Sequence, residues 1–333
     1  GDHRDLHSFP TRRSSDLAAN KRASVLYASL LVVLLTALGA AITGYYDASQ
    51  WPIGAAGAAL LGVILALVAT FSGPSIVLGI SGAREATKEV DQVLSNVAEE
   101  MAIAAGIPKP KVYVIDDTAP NAFATGRDPQ NGVVVFTQGI LRKLNRDELQ
   151  AVMAHEVSHI RNYDIRFMTT IALIAGVIPL LADFLKRMAW YGGGRRRSKD
   201  DSGQAIFMIL ALVLAILAPL FSMLLQLAVS RKRELLADAS AVDLTRNPDA
   251  LASALQKIAH DPEPLEAANR ATQHLYIVNP MKAWDDEASS IFSTHPPLSE
   301  RLRQLEQLGA RYRRPERRAP DDFSDMPEIP NQR

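Results

Sequence analysis

The chain has 333 residues, with 36 basic side chains balanced by 36 acidic ones, no cysteine, and a hydrophobic content of 48% of which little is aromatic. Balanced charge leaves no basic surplus of the kind nucleic-acid binding requires. The absence of cysteine excludes a disulfide framework and any thiolate metal ligand, so a metal would have to be held by His, Asp or Glu.

The apolar residues are clustered, and the chain is best taken from its beginning. Residues 1–17 look foreign to the rest: His7-Ser8-Phe9-Pro10-Thr11-Arg12-Arg13-Ser14-Ser15-Asp16-Leu17 resembles the in-frame translation of a sequencing-library adapter. Residues 1–22 are therefore set aside as an artefactual or disordered N-terminus. Ala23 to Tyr46 carries no charge and is long enough to span a bilayer. A second uncharged run covers Ala48 to Ala83, with its apolar heart at Ile53–Ile80, and Tyr45, Tyr46 and Trp51 lie between the two where an aromatic belt would fall. A cleaved signal peptide is the rival reading of the first run. The close succession of the two favours a transmembrane hairpin over residues 23–83. Lys21 and Arg22 precede this hairpin, Arg84 and Lys88 follow it, and the loop inside carries only Asp47. By the distribution of positive charge, the N-terminus and everything immediately after Arg84 face the cytoplasm.

From Arg84 to Ala105, Val90, Leu94, Val97 and Met101 recur at helical spacing, and Gly106-Ile107-Pro108 stops the helix. Lys111–Ile115 and Gly132–Thr137 are rich in β-branched residues and read as strands. Asn121–Gly126 between them reads as a third, exposed strand. Asn145 followed by Glu148 forms a capping box, and Leu149, Val152, Met153, Glu156 and Ile160 continue at helical spacing for about four turns.

That helix carries His155-Glu156-Val157-Ser158-His159, an H-E-x-x-H pattern. A spacing of four puts both imidazoles on one helix face, where two neutral nitrogens can occupy adjacent corners of a zinc tetrahedron. Glu156 beside them is placed to act as general base on a metal-bound water. Arg146, Asp147, Glu148, Arg161 and Asp164 crowd the ends of the helix. Charge at that density is costly in hydrocarbon, which argues against cleavage at the bilayer midplane.

Two further apolar runs follow. Phe167 to Ala182 is short and ends at Asp183, Lys186 and Arg187; Ser202 to Ser230 is long enough to span. The loop between them, Gly192 to Lys199, is glycine-rich and basic. Two crossings would put that loop outside, against its charge, so a re-entrant or interfacial third segment stays open beside two crossings. After this insertion, at residues 167–230, the chain reads Ser230-Arg231-Lys232-Arg233-Glu234-Leu235-Leu236-Ala237-Asp238. Glu234 and Asp238 share a helix face. They could serve as third metal ligand and as hydrogen-bond partner of a zinc histidine, or form an ordinary solvated face. Asn247-Pro248 starts another helix. His260 and His274 read as loop or surface residues, and the charged, proline-rich tail, residues 311–333, as disordered.

Taken together, H-E-x-x-H, a hydrophobic insertion, Ser-Arg-x-Arg-Glu-x-x-Ala-Asp and finally Ser293-Thr294-His295-Pro296-Pro297-Leu298-Ser299-Glu300-Arg301 resemble the HtpX family of membrane metalloproteases, relatives of the CAAX prenyl protease. Pro120-Asn121-Ala122-Phe123-Ala124-Thr125-Gly126 matches as well, and the resemblance covers about residues 23–310. It implies one Zn²⁺ per chain bound by His155, His159 and Glu234, with Glu156 as base and Asp238 behind the ligands. It implies His295 near the reacting atoms as an oxyanion donor, although a turn histidine before Pro296-Pro297 is an equal reading. It implies endoproteolysis of misfolded membrane proteins at the inner membrane, from a multi-pass chain whose catalytic domain faces the cytoplasm.

The fold expected is an α+β zincin of gluzincin type with transmembrane helices, mainly α overall. Its two halves, residues 84–166 and 231–310, are separated by the membrane insertion. Asn121, Ala122, Phe123, Ala124 and Thr125 would hold substrate by strand addition. The partners expected are protein substrates and the lipid bilayer, with no nucleic acid. A narrow-specificity processing protease of the same fold, and a membrane scaffold with purely structural zinc, are the competing readings. The second lacks a fourth protein ligand to close the site.

Overall fold

The computed structural model describes residues 14–47, 49–87, 91–192, 231–268, 271–280 and 296–313. Helix α1 (Ser14–Tyr46) and helix α2 (Trp51–Phe71) form an antiparallel pair joined by a short turn. Their stretches Arg22–Gly44 and Trp51–Phe71 are long and apolar enough to cross a bilayer, and both leave most of their apolar surface exposed, including Leu26, Ile53, Leu60 and Phe71. The two backbones approach closely at Gly39 and Gly54: a Cβ on Gly39 would meet Ala58 Cβ at 2.4 Å, so neither position has room for a side chain.

The second apolar run is two helices rather than one. It breaks at Ser72, and α3 (Gly73–Ile80) restarts with Pro74 in its first turn, where the missing N–H costs nothing. The helix expected from Arg84 also begins later. Arg84–Glu85 form strand β1, paired antiparallel to β2, and α4 spans Gln92–Ala105 with Leu94, Val97 and Met101 inward. Gly106, at φ +67°, ends α4 in the left-handed conformation that glycine adopts without strain. Val90 lies outside the described residues.

Strands β2 (Lys111–Ile115), β3 (Ala122–Gly126) and β4 (Gly132–Thr137) complete a sheet of order β1-β2-β4-β3. β2 and β4 run parallel, and β3 pairs antiparallel with β4. After the short helix α5 (Gln138–Lys143) come α6 (Arg146–Arg161) and α7 (Asp164–Gly192), then α8 (Arg231–Thr245), α9 (Pro248–Ala259) and α10 (Leu298–Arg313). The expected capping box of α6 is present: Asn145 accepts from the Glu148 backbone, and the Glu148 carboxylate accepts from the Asn145 backbone. Asn247 caps α9, with Pro248 at its start.

Helix α7 passes through Asp183 and Arg187, where the sequence suggested an end, and its first three turns are buried in protein. Ser202 to Ser230 and the basic loop beyond Gly192 lie outside the described residues.

Both faces of the sheet are covered. On one, Val112, Val114, Val134, Phe136, Ala122 and Ala124 pack into a core with α4, α6, α8, α9 and α10. On the other, Ile115, Phe123, Val133 and Val135 share a core with Leu31 and Leu35 of α1, Val77 of α3, and Phe167, Ile171 and Ile174 of α7. This explains why the strands read as continuous β-branched runs rather than alternating ones. It also corrects the expectation for Asn121–Gly126: Asn121 is buried and β3 is buried throughout, although it is the edge of the sheet.

Candidate metal centre

Helix α6 supplies His155, Glu156 and His159, and α8 packs against it to supply Glu234 and Asp238. All five side chains are buried. The two Nε2 atoms of His155 and His159 lie 3.2 Å apart, with the rings nearly perpendicular. Glu234 faces both, with Oε2 at 3.6 Å from His155 Nε2 and Oε1 at 3.5 Å from His159 Nε2.

The other nitrogen of each ring faces a carboxylate: His155 Nδ1 lies 2.9 Å from Asp238 Oδ1, and His159 Nδ1 lies 3.2 Å from Asp164 Oδ2. A carboxylate at Nδ1 fixes the proton there. Both Nε2 atoms then present lone pairs to each other, and Glu234 adds a third acceptor. Three buried acceptors that converge in this way suit a cation. A tetrahedral site with bonds of about 2.0–2.1 Å has edges of about 3.3–3.4 Å, close to the three distances found, so the residues fit zinc. Among the described residues, His155, His159 and Glu234 are the group able to hold a metal ion.

The electrostatics agree. Burial opposes a charge on His155, but the carboxylates of Asp238 and Glu234 beside it outweigh that and raise its pKa to about 9. The surroundings therefore favour positive charge at that point. Asp238 is buried too, yet Arg301 holds it below the usual carboxylate range. Arg301 grips it with two bonds, Nε to Oδ2 at 2.8 Å and Nη2 to Oδ1 at 2.7 Å, and donates Nη1 to the Ile277 carbonyl at 2.7 Å. Glu156 is 1% exposed, and neither carboxylate oxygen has a hydrogen-bond partner among the described residues. Burial holds its pKa above the usual range, against the opposing influence of His155 and His159.

Asn121–Thr125 are buried in the structure rather than in open solvent. β3 packs on α6, and its outer edge is already part-covered. Ile277 N donates to Ala122 O at 2.9 Å, Asn121 Nδ2 donates to Val278 O at 3.0 Å, and Tyr276 bridges Phe123. The two-residue alternation that turns the backbone groups of Ala122 to the outer edge turns those of Ala124 there as well, while both side chains stay in the core. His295 lies outside the described residues. His260 caps α9 at the surface, as expected, whereas His274 is fully buried with Nε2 3.0 Å from the Met168 carbonyl, so it is a core residue of the α7 contact. Sequence reasoning assigned no role to Asp164, Arg233 or Arg301. Arg233 and Arg301 left a signal only as members of the motifs around Glu234 and leading into α10.

The sequence profile of peptidase family M48 matches residues 88–309. A protein named "Protease HtpX homolog" from Dictyoglomus turgidum is 46% identical over 297 residues, which cover 89% of this chain and 95% of that protein. One of the same name from Streptococcus uberis is 43% identical over 295 residues, covering 88% and 98%. The crystal structure of S. mikatae Ste24p aligns over 88% of this chain and 67% of that one, at 20% identity and a TM-score of 0.45.

Proposed function

This chain belongs to peptidase family M48, and we propose that it is a zinc-dependent endopeptidase of the inner membrane that degrades misfolded membrane proteins from the cytoplasmic side. Family membership and the two apolar helices make it a membrane metalloprotease; the metal, the base, the substrates and the orientation are our reading. One observation carries it: three buried acceptors converge on a point, and the Glu156 carboxylate, without a hydrogen-bond partner among the described residues, stands on the same helix as two of them.

In this reading His155, His159 and Glu234 hold one Zn²⁺. When bound, zinc polarises the scissile carbonyl and makes water a nucleophile at neutral pH. Glu156 takes a proton from the attacking water, whose oxygen joins the carbonyl carbon. It then delivers that proton to the amide nitrogen as the C–N bond breaks. That its two oxygens have no hydrogen-bond partner among the described residues supports this role, because a base must be free to receive the proton. The sheet beside α6 is read as a zincin scaffold, with residues 84–166 and 231–310 as its halves. Substrate backbone is read as adding to the β3 edge from the Ala124 carbonyl to Thr125, beyond the Phe123–Tyr276 bridge. Asn121, Ala122 and Phe123 then shape that edge. His295 is kept as an oxyanion donor.

The test is cleavage of casein or a membrane-protein substrate by the purified full chain, with chelator and with zinc restored. Cleavage should stop with chelator and return with zinc. Glu156→Gln should lower turnover by roughly 10²–10⁴-fold, the worth of a general base, while retaining one zinc per chain. Near-normal turnover in that variant would remove Glu156 from the mechanism.

A further inference from the structure

Beside the Asp238–His155 contact, the site holds a second carboxylate–imidazole pair on its opposite flank. Helices α6 and α7 are joined by Asn162 and Tyr163 alone. Tyr163 sits at φ +60°, a left-handed conformation that costs a non-glycine residue about 1–2 kcal/mol. This sharp joint turns the start of α7 back beneath the last turn of α6. Asp164, fully buried, there presents Oδ2 to His159 Nδ1 at 3.2 Å and Oδ1 to Arg233 Nε at 3.2 Å. Arg233 is itself 9% exposed, with its guanidinium stacked on the Phe167 ring at 4.4 Å. It is the residue immediately before Glu234 on α8.

We propose that Asp164 and Arg233 are positioning residues for the metal: Asp164 orients the His159 imidazole, and Arg233 fixes Asp164 while tying the helix of the third ligand to the α6–α7 joint. The inference rests on the reading of His155, His159 and Glu234 as zinc ligands. Each ligating histidine then has its own buried aspartate, and each aspartate its own buried arginine, with Asp238–Arg301 behind His155 and Asp164–Arg233 behind His159. A carboxylate at Nδ1 selects the tautomer whose Nε2 is free to ligate, and it restrains rotation about the side-chain bonds. Each arginine sets its guanidinium against its own aspartate and holds that carboxylate in place. The strained Tyr163 joint is consistent with a connection held for what it delivers, since a relaxed loop would set Asp164 elsewhere.

The experiment is a zinc titration of the full chain in detergent against a competing chelator. It uses the parent protein, Asp164→Asn, Asp164→Ala, Arg233→Ala and the double alanine variant. Thermal unfolding of each metal-free protein is measured alongside. Asp164→Ala should weaken zinc binding by roughly 10–100-fold. Asp164→Asn keeps an acceptor oxygen in the same volume and should show a smaller, measurable loss. Arg233→Ala should weaken binding in the parent background and add nothing to Asp164→Ala, because it acts through Asp164. Raising free zinc should restore the activity of Asp164→Ala with KM unchanged, which a purely structural role would not produce. Should the alanine variant fail to fold, the Asn variant decides. Parental zinc affinity in the folded Asp164 variants overturns the proposal. A parent protein that binds no zinc overturns instead the reading on which it rests.

Discussion

Glu234 approaches both imidazoles from a helix that two apolar runs separate from α6 in sequence, yet its oxygens stand 3.6 and 3.5 Å from the two Nε2 atoms. Glu234→Ala should therefore remove the metal and the cleavage together, because it deletes one of the three proposed ligands. A full equivalent of tightly bound zinc in that variant, by metal analysis, would assign the third ligand to another residue. The two histidines and Glu156 were legible because an i, i+4 spacing on a helix is a local geometric fact. Glu234 was legible only through the family resemblance, since acids beside basic residues usually form a solvated face. Asp164 and Arg233 were not legible. Their contact depends on a left-handed residue at Tyr163, which no helical period encodes. His274 likewise read as a surface residue because burial against the α7 carbonyls is set by tertiary packing.

At the scale of elements, helix α6 is secured at its start and then spent on chemistry. The Glu148 carboxylate accepts from the Asn145 backbone at 2.9 Å, from Lys257 at 2.8 Å and from Ser253 at 2.6 Å, so the cap also ties α6 to α9. Burial alone would raise the Glu148 pKa. The Lys257, Ser253 and Asn145 donors outweigh it and hold the group below its ordinary value of 4.5. A carboxylate whose pKa is lowered on folding stabilises the fold above the unfolded value, and that contribution is lost as the pH falls through the folded one. Glu148→Gln should thus cost about 1–2 kcal/mol at pH 7. The gap between variant and parent should close as the pH drops below 4.5, followed by unfolding of the metal-free proteins. A gap independent of pH would assign the loss to packing rather than to charge. The cap was readable because Asn145 and Glu148 are three residues apart, whereas its extension to Lys257 was not. The same limit applied to β3. Its composition marked a strand, but its burial comes from α6 on one face and α7 on the other.

For the molecule as a whole, the sheet is the joint between membrane and catalysis. One face packs against the helices of the metal site, and the other shares a core with α1, α3 and α7. The hairpin is thus continuous with the catalytic core rather than a tether, and its orientation decides which compartment the site faces. Arg22 precedes the first crossing and Arg84 follows the second, while the turn between α1 and α2 carries only Asp47. In the orientation proposed above, that asymmetry corresponds to the turn outside and the site in the cytoplasm. Because the chain has no cysteine, single substitutions report topology cleanly. Ser49→Cys, exposed in the turn, should react with an impermeant thiol reagent in intact cells. Ile103→Cys, 75% exposed on α4, should react only after permeabilisation. The sequence reading offers two crossings or a re-entrant excursion for residues 167–230, between α6 and α8, which meet at one site; residues 193–230 lie outside the described residues. Ser198→Cys, in the basic loop outside the described residues, separates the two: labelling from outside means four spans, and labelling only from inside means a re-entrant segment. External labelling at Ile103 would reverse the orientation, and the cytoplasmic assignment of the protease would fall with it.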